Sequence, residues 1–172
     1  MQKENDAYVQ QVELSETKKA DEESLHIVKN EQFGIIEKQI NHEMEQINQQ
    51  LYIEEYNAPV IHFTESSYYF HTPDDTGTGI AYKGLVVFDL AIAKLTKLPI
   101  LVHDSVVLKQ ISDDAIENII NQYIACKKQV VIALDKQQSY TEKTSKLLAK
   151  YAILQLAPNG KELFGKSWGK KK

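Results

Sequence analysis

The stretch from Asp74 to Lys136 constrains the fold most. It runs through a glycine-rich loop, an apolar helix pattern, a short apolar run closed by an acid, a second amphipathic pattern and a second short apolar run. Thr72-Pro73-Asp74-Asp75-Thr76-Gly77-Thr78-Gly79 is a loop by composition. After it, Ala81, Leu85, Phe88, Ala91, Ile92 and Leu95 are spaced for one apolar helix face, and Pro99 opens the next element. Ile100-Leu101-Val102, followed by His103-Asp104-Ser105, reads as a buried parallel strand with Asp104 at its C-terminal end. Ser112 can cap the next helix, whose apolar face is Ala115, Ile116, Ile119, Ile120 and Tyr123. Val130 to Leu134 is a second buried strand. Strand, helix, strand is a βαβ unit, and its crossover is expected to be right-handed. The fold class is α/β.

The flanks read differently. Residues 1–32 are rich in Gln, Glu, Lys, Asp and Asn, with apolar residues too sparse for a buried face, so they form a polar arm that is disordered or weakly helical. From Phe33 the steps to Ile36, Ile40, Met44, Ile47 and Leu51 draw one stripe on a helix over 33–56. That stripe fits a helix packed on its own domain and equally the returning strand of a coiled coil. Asn57-Ala58-Pro59 ends the helix. Val60–Thr64 and Tyr68–His71, split by Glu65-Ser66-Ser67, suggest a hairpin or meander. Beyond the βαβ unit, Thr141–Lys150 predicts a helix, Ile153–Leu156 a last strand, and Pro158-Asn159-Gly160 a turn. The main domain spans 57–168 and a basic tail covers 169–172.

Composition narrows the chemistry. A chain of 172 residues with 42% hydrophobic residues can bury one core. Its formal charge of −4 supplies no global positive field to draw it onto nucleic acid. The single cysteine, Cys126, cannot form an internal disulfide, and no apolar run approaches the roughly 20 residues of a membrane span. The cytoplasm is the expected compartment, with no membrane partner.

Asp75-Thr76-Gly77-Thr78-Gly79 lets backbone amides approach a ligand where a helix begins, and helix N-termini attract phosphate. The plain alternative is a turn. The loop is not a Walker A loop, which closes on Gly-Lys-Ser/Thr, and no Walker A string is expected anywhere in the chain. His103-Asp104-Ser105 holds all three residue types of a hydrolytic triad, but consecutive strand residues point to opposite faces and cannot converge. His26, His42, His62 and His71 lack metal-ligand spacing, so no zinc is expected. Tyr68, Tyr69 and Phe70 could stack on a base or serve as edge packing.

The order of elements resembles that of ABC-type ATPase heads. Asp75–Gly79 then matches the signature loop, Ile100–Asp104 the Walker B strand, Ile111-Ser112-Asp113-Asp114 the D-loop region, and Val130–Asp135 the switch strand. More specifically, the chain resembles the bacterial domain-of-unknown-function family 2326, found at the C-terminus of SMC-like ATPases with long coiled coils. The strings that carry this likeness are Asp75–Gly79, Tyr82-Lys83-Gly84, Phe88-Asp89-Leu90-Ala91, Leu98 to Ser105, and Leu163-Phe164-Gly165-Lys166-Ser167-Trp168. The likeness runs from about Phe33 to Trp168.

The resemblance implies a partial P-loop NTPase fold: the C-terminal lobe of an SMC-like head, preceded by a coiled-coil-like helix. It implies that Walker A comes from a separate N-terminal half or partner chain. Asp75, Thr76, Gly77, Thr78, Gly79 and Lys83 would contact nucleotide, and Asp104 would hold Mg²⁺ through water. ATP and Mg²⁺ are the implied cofactors, and a homodimer through the head is a possible assembly. DNA repair or defence is the implied setting, with DNA contacted indirectly or weakly. Two positions depart from the pattern. Ser105 stands where a catalytic glutamate is usual, and Leu134 stands where the switch strand usually ends in histidine. A hydroxyl is a poor general base at neutral pH. His103, Ser105, Asp113, Asp114 and Asp135 are the remaining candidates, and hydrolysis is expected only in the assembled head. The alternative is a non-catalytic interaction scaffold derived from such a head.

Overall fold

The computed structural model describes residues 2–51, 56–135, 139–157 and 161–165. The chain divides into two compact units, Met1–Ala133 and Leu134–Lys172.

The first unit opens with one continuous helix, α1 (Gln2–Leu51). The polar arm is therefore helical and runs unbroken into the amphipathic stretch. The compositional change at Phe33 shows up as burial instead. Residues 8–32 are exposed throughout, whereas Ile40, Met44, Ile47 and Leu51 are buried. Ile36 lies outside the buried stripe at 42% exposure. The stripe packs on α2 (Thr78–Leu95), β1 (Val60–Phe63) and α4 (Asp113–Ala125), so over this stretch the helix packs on its own domain. Burying each of Met44 and Ile47 is worth about 1.5–3 kcal/mol. Asn118 Nδ2 donates to the Leu51 carbonyl at 2.8 Å, tying α4 to α1.

β1 pairs antiparallel with β2 (Tyr68–His71), which is the hairpin expected of these residues. The outer edge of β1 is covered by two side chains one turn apart on α1. Asn41 bonds both the N–H and the carbonyl of Ile61, and Glu37 Oε2 accepts from the Phe63 N–H at 2.9 Å. These contacts satisfy strand groups that would otherwise need another strand.

α2 is helical as expected, but its phase differs. Lys83, Gly84, Val86, Val87, Leu90, Ala91 and Ala93 are buried, while Ala81, Leu85 and Leu95 are exposed. So many of its residues are apolar that their spacing alone does not select the inward face. β3 (Ile100–His103) follows, then a four-residue helix that the sequence pattern did not announce, α3 (Ser105–Leu108), then α4 and β4 (Gln129–Ile132). β3 and β4 are parallel, in the register Ile100↔Gln129 to His103↔Ile132, and complete the predicted βαβ unit.

These strands are not buried on both faces. Leu101, His103, Val130 and Ile132 share one side, and the His103 ring reaches α2 and α4 from it. Ile100, Val102 and Val131 share the other, at 43%, 63% and 37% exposure.

The second unit contains α5 (Glu142–Tyr151), capped by Thr141, whose hydroxyl accepts from the Thr144 N–H. The strand expected at Ile153–Leu156 is absent. These residues are exposed and unpaired in any sheet, and Ala157 makes only an isolated bridge with Lys161. The basic tail, 169–172, lies outside the described residues.

Candidate functional site

The glycine-rich loop begins with a tight turn. Asp75 N–H bonds the Thr72 carbonyl at 3.4 Å, and Asp74 takes φ of 56°, a left-handed conformation that aspartate tolerates better than most residues. Asp75 Oδ1 then accepts from the Gly77 N–H at 2.8 Å. Gly77 is extended and caps α2 without a side-chain bond, and the first intrahelical bond is Ala81 N–H to the Gly77 carbonyl at 3.0 Å. The amides of Thr78, Gly79 and Ile80 precede that bond, at the positive end of the helix dipole. Residues 74–78 are exposed.

The last two loop candidates have packing roles. A Cβ on Gly79 would lie 2.8 Å from the Gln110 carbonyl oxygen, so glycine lets the start of α2 meet the end of the α3 segment. Lys83 is 1% exposed, and its ammonium donates to Asn48 Oδ1 at 3.1 Å inside the α1–α2 interface. Asn48 Nδ2 in turn donates to the Tyr56 carbonyl at 2.7 Å. Burial lowers the Lys83 pKa, and the Asp75 carboxylate partly opposes that shift. Lys83 is thus a buried cation bonded to Asn48 and within the electrostatic reach of Asp75.

Asp104 directly follows β3 and is exposed. Its Oδ1 accepts from the Ser105 N–H at 2.7 Å and lies 3.4 Å from Ser105 Oγ, so it caps α3. Asp113 and Asp114 sit exposed in the first turn of α4, where carboxylates complement the helix dipole. Asp135 is exposed in the second unit, and Leu134 there is half-buried.

His103 points the other way from Asp104. It is 5% exposed, its Nε2 lies 2.9 Å from Asp89 Oδ2, and its Nδ1 bonds the Tyr123 hydroxyl. A carboxylate only accepts, so Nε2–H donates to Asp89. Burial pushes the Tyr123 phenol far up from its ordinary value, and the Asp89 carboxylate adds to the shift. The three residues tie α2, the end of β3 and α4 together. Asp89 and Tyr123 were missed as site residues; the available signals were an acid inside the apolar run Val86–Ala93 and a phenol on the apolar face of α4. Asn48, set beside Ile47 on the α1 stripe, was another such signal. No described buried side-chain polar atom lacks a partner, and no described group of three His, Cys, Asp or Glu could hold a metal.

Contrary to the expectation that Walker A lies wholly outside the chain, one string within it carries that spacing. Gly160-Lys161-Glu162-Leu163-Phe164-Gly165-Lys166-Ser167 has Walker A spacing. A P-loop directly follows a strand, whereas the last element before this string among the described residues is α5, with only the isolated Ala157–Lys161 bridge between them. Gly160, Lys166 and Ser167 lie outside the described residues.

The fold is a mixed α/β arrangement with two small sheets among the described residues, and it is similar to a solved chain from work on the structural biochemistry of ATP-driven dimerization and DNA-stimulated activation of SMC ATPases. That similarity has a TM-score of 0.51 at 12% identity, covering 73% of this chain and 80% of that one. At this identity the likeness concerns the fold alone. Residues 36–168 match the family model DUF2326, described as an uncharacterised protein conserved in bacteria, and the chain belongs to that family. Comparison with curated proteins gives no match. No helix among the described residues is long and apolar enough to cross a membrane.

Proposed function

We propose that this chain is the C-terminal half of an SMC-like ATPase head, completed by a Walker A-bearing half. The observation that carries this reading is the β3–β4 sheet: two parallel strands with an apolar outer face, Ile100, Val102 and Val131, open to solvent. Parallel sheets are otherwise covered on both faces. Further strands and a helix from the other half would cover this one, placing their phosphate loop beside the C-terminal end of β3.

In that assembly Asp104 would hold Mg²⁺ through water, a role that suits one exposed carboxylate beside phosphate oxygens. The exposed loop Asp75–Thr78 and the free amides at the start of α2 would close on the γ-phosphate of a second head. Gly79 would set the loop's position through Gln110, and Lys83 would act from the core. The setting is DNA repair or defence against foreign DNA.

The test is co-expression with a Walker A half and titration of Mg²⁺-ATP by calorimetry. Binding by the assembly but not by this chain alone is expected, with affinity at least about tenfold weaker in Asp104→Ala. Equal affinity in the variant would sink the metal role. Binding by this chain alone that Lys166→Ala abolishes would move the phosphate loop onto Gly160–Ser167 and overturn the half-head reading.

A second reading is a non-catalytic scaffold derived from such a head. It is favoured by the Asp104 carboxylate being engaged in capping α3 and by Ser105 standing where a general base is needed. An assembly that binds ATP without turning it over supports this second reading.

A further inference from the structure

The two units carry opposite charge. Leu134–Lys172 contains nine lysines against three carboxylates, a formal charge of +6; with −4 on the whole chain, residues 1–133 carry −10. The basic character is therefore not confined to the terminal lysines. It extends over a unit that the whole-chain charge conceals.

Within that unit the lysines of α5 are ordered. Lys143, Lys146 and Lys150 recur at three- and four-residue steps and are exposed, whereas Thr144 is buried and Leu147 and Leu148 are half-buried. The helix rise separates these lysines by about 4.5 and 6 Å along the axis. Long, flexible lysine stems at these intervals give each ammonium its own reach toward the dense line of phosphates that a duplex presents. Tyr151 continues the surface, 56% exposed, with the Lys150 ammonium 5.3 Å from its ring centroid. Glu142 pairs with Lys146 at 2.6 Å, but the two side chains are 84% and 75% exposed, so a phosphate can replace the carboxylate at little cost.

We infer that the basic face of α5 is a sequence-independent docking surface for the phosphate backbone of duplex nucleic acid. Charge complementarity selects the partner. A lipid surface fits less well, because helices that lie on membranes insert a free apolar face, and the apolar side of α5 is already partly covered. The inference is independent of the nucleotide reading, since it uses no residue of that site.

The test is fluorescence anisotropy of a labelled 30-base-pair duplex of arbitrary sequence with the full chain, titrated across salt. Weak, salt-sensitive binding is expected. The triple variant Lys143→Gln, Lys146→Gln, Lys150→Gln should weaken it at least about tenfold at low salt and flatten the log–log salt slope by about two to three. Lys18→Gln with Lys19→Gln, on the exposed part of α1, should leave it unchanged, and Glu142→Gln should tighten it. Circular dichroism checks that the variants remain folded, and Glu142→Gln supplies a gain of binding that unfolding cannot mimic. No binding at low salt, an unchanged slope in the triple variant, or tighter binding to vesicles with anionic headgroups than to DNA would overturn the inference.

Discussion

The His103 imidazole is held between Asp89 and Tyr123, with 2.9 Å separating Nε2 from Asp89 Oδ2, while the next residue, Asp104, faces solvent and caps α3. A strand end that alternates faces thus divides two jobs between neighbours. One side chain anchors β3 to α2 and α4, and the other presents a carboxylate.

Tyr123→Phe tests the anchor. It removes the hydroxyl and leaves a buried imidazole nitrogen without its partner, which should cost about 1–3 kcal/mol. Urea denaturation with an unchanged m-value is the readout, and wild-type stability in the variant would show that the bond contributes nothing.

Gly79→Ala tests whether this glycine serves packing. Its Cβ would meet the Gln110 carbonyl oxygen at 2.8 Å, where a backbone atom must yield, so a loss of about 1–3 kcal/mol is expected without any nucleotide present. Gly77→Ala should cost less, since its Cβ would sit 3.2 Å from the movable Asp75 side chain. Equal melting temperatures for Gly79→Ala and wild type would contradict the packing role.

Glu37 makes the β1 contact pH-dependent. Burial acts to raise its pKa, but the Phe63 N–H, His62 and Lys38 together outweigh it, and the net shift is downward from 4.5. A lowered carboxylate pKa contributes stability that is present above 4.5 and lost as pH falls through the folded value. Thermal melts at falling pH should show this loss in the wild type, and Glu37→Gln should lack that part of it. Parallel acid profiles would refute the assignment.

Lys83 predicts a trend at the alkaline end. Its pKa lies below the ordinary 10.5, so between the folded value and 10.5 the unfolded chain binds more protons and stability rises with pH. Lys83→Met removes this dependence. The stability difference between wild type and variant, followed by denaturant titration toward alkaline pH, should move in favour of the wild type; a constant difference would show that the ammonium is not penalised by burial.

Much of the fold was legible because regular elements leave periodic traces. The α4 face, the hairpin, the α5 helix and the parallel pairing of β3 with β4 all follow from spacing and turn residues. Spacing gave less where the pattern was ambiguous. α2 is apolar on several sides, so spacing places Ala81, Leu85 and Leu95 inward where packing leaves them exposed. Ile153–Leu156 has strand composition, yet a strand needs a neighbour to bond, and the described unit offers none there.

The sequence by itself determined the order of elements, the loop leading into α2, the acid at the end of β3 and the segregation of positive charge into residues 134–172. These properties reside in local spacing, turn chemistry and residue counts. Only the tertiary structure decided which polar side chains face inward. Lys83 turns to Asn48, 35 residues away, and His103 turns to Asp89 and Tyr123, because a buried polar group must find its partner wherever packing brings one within bonding distance.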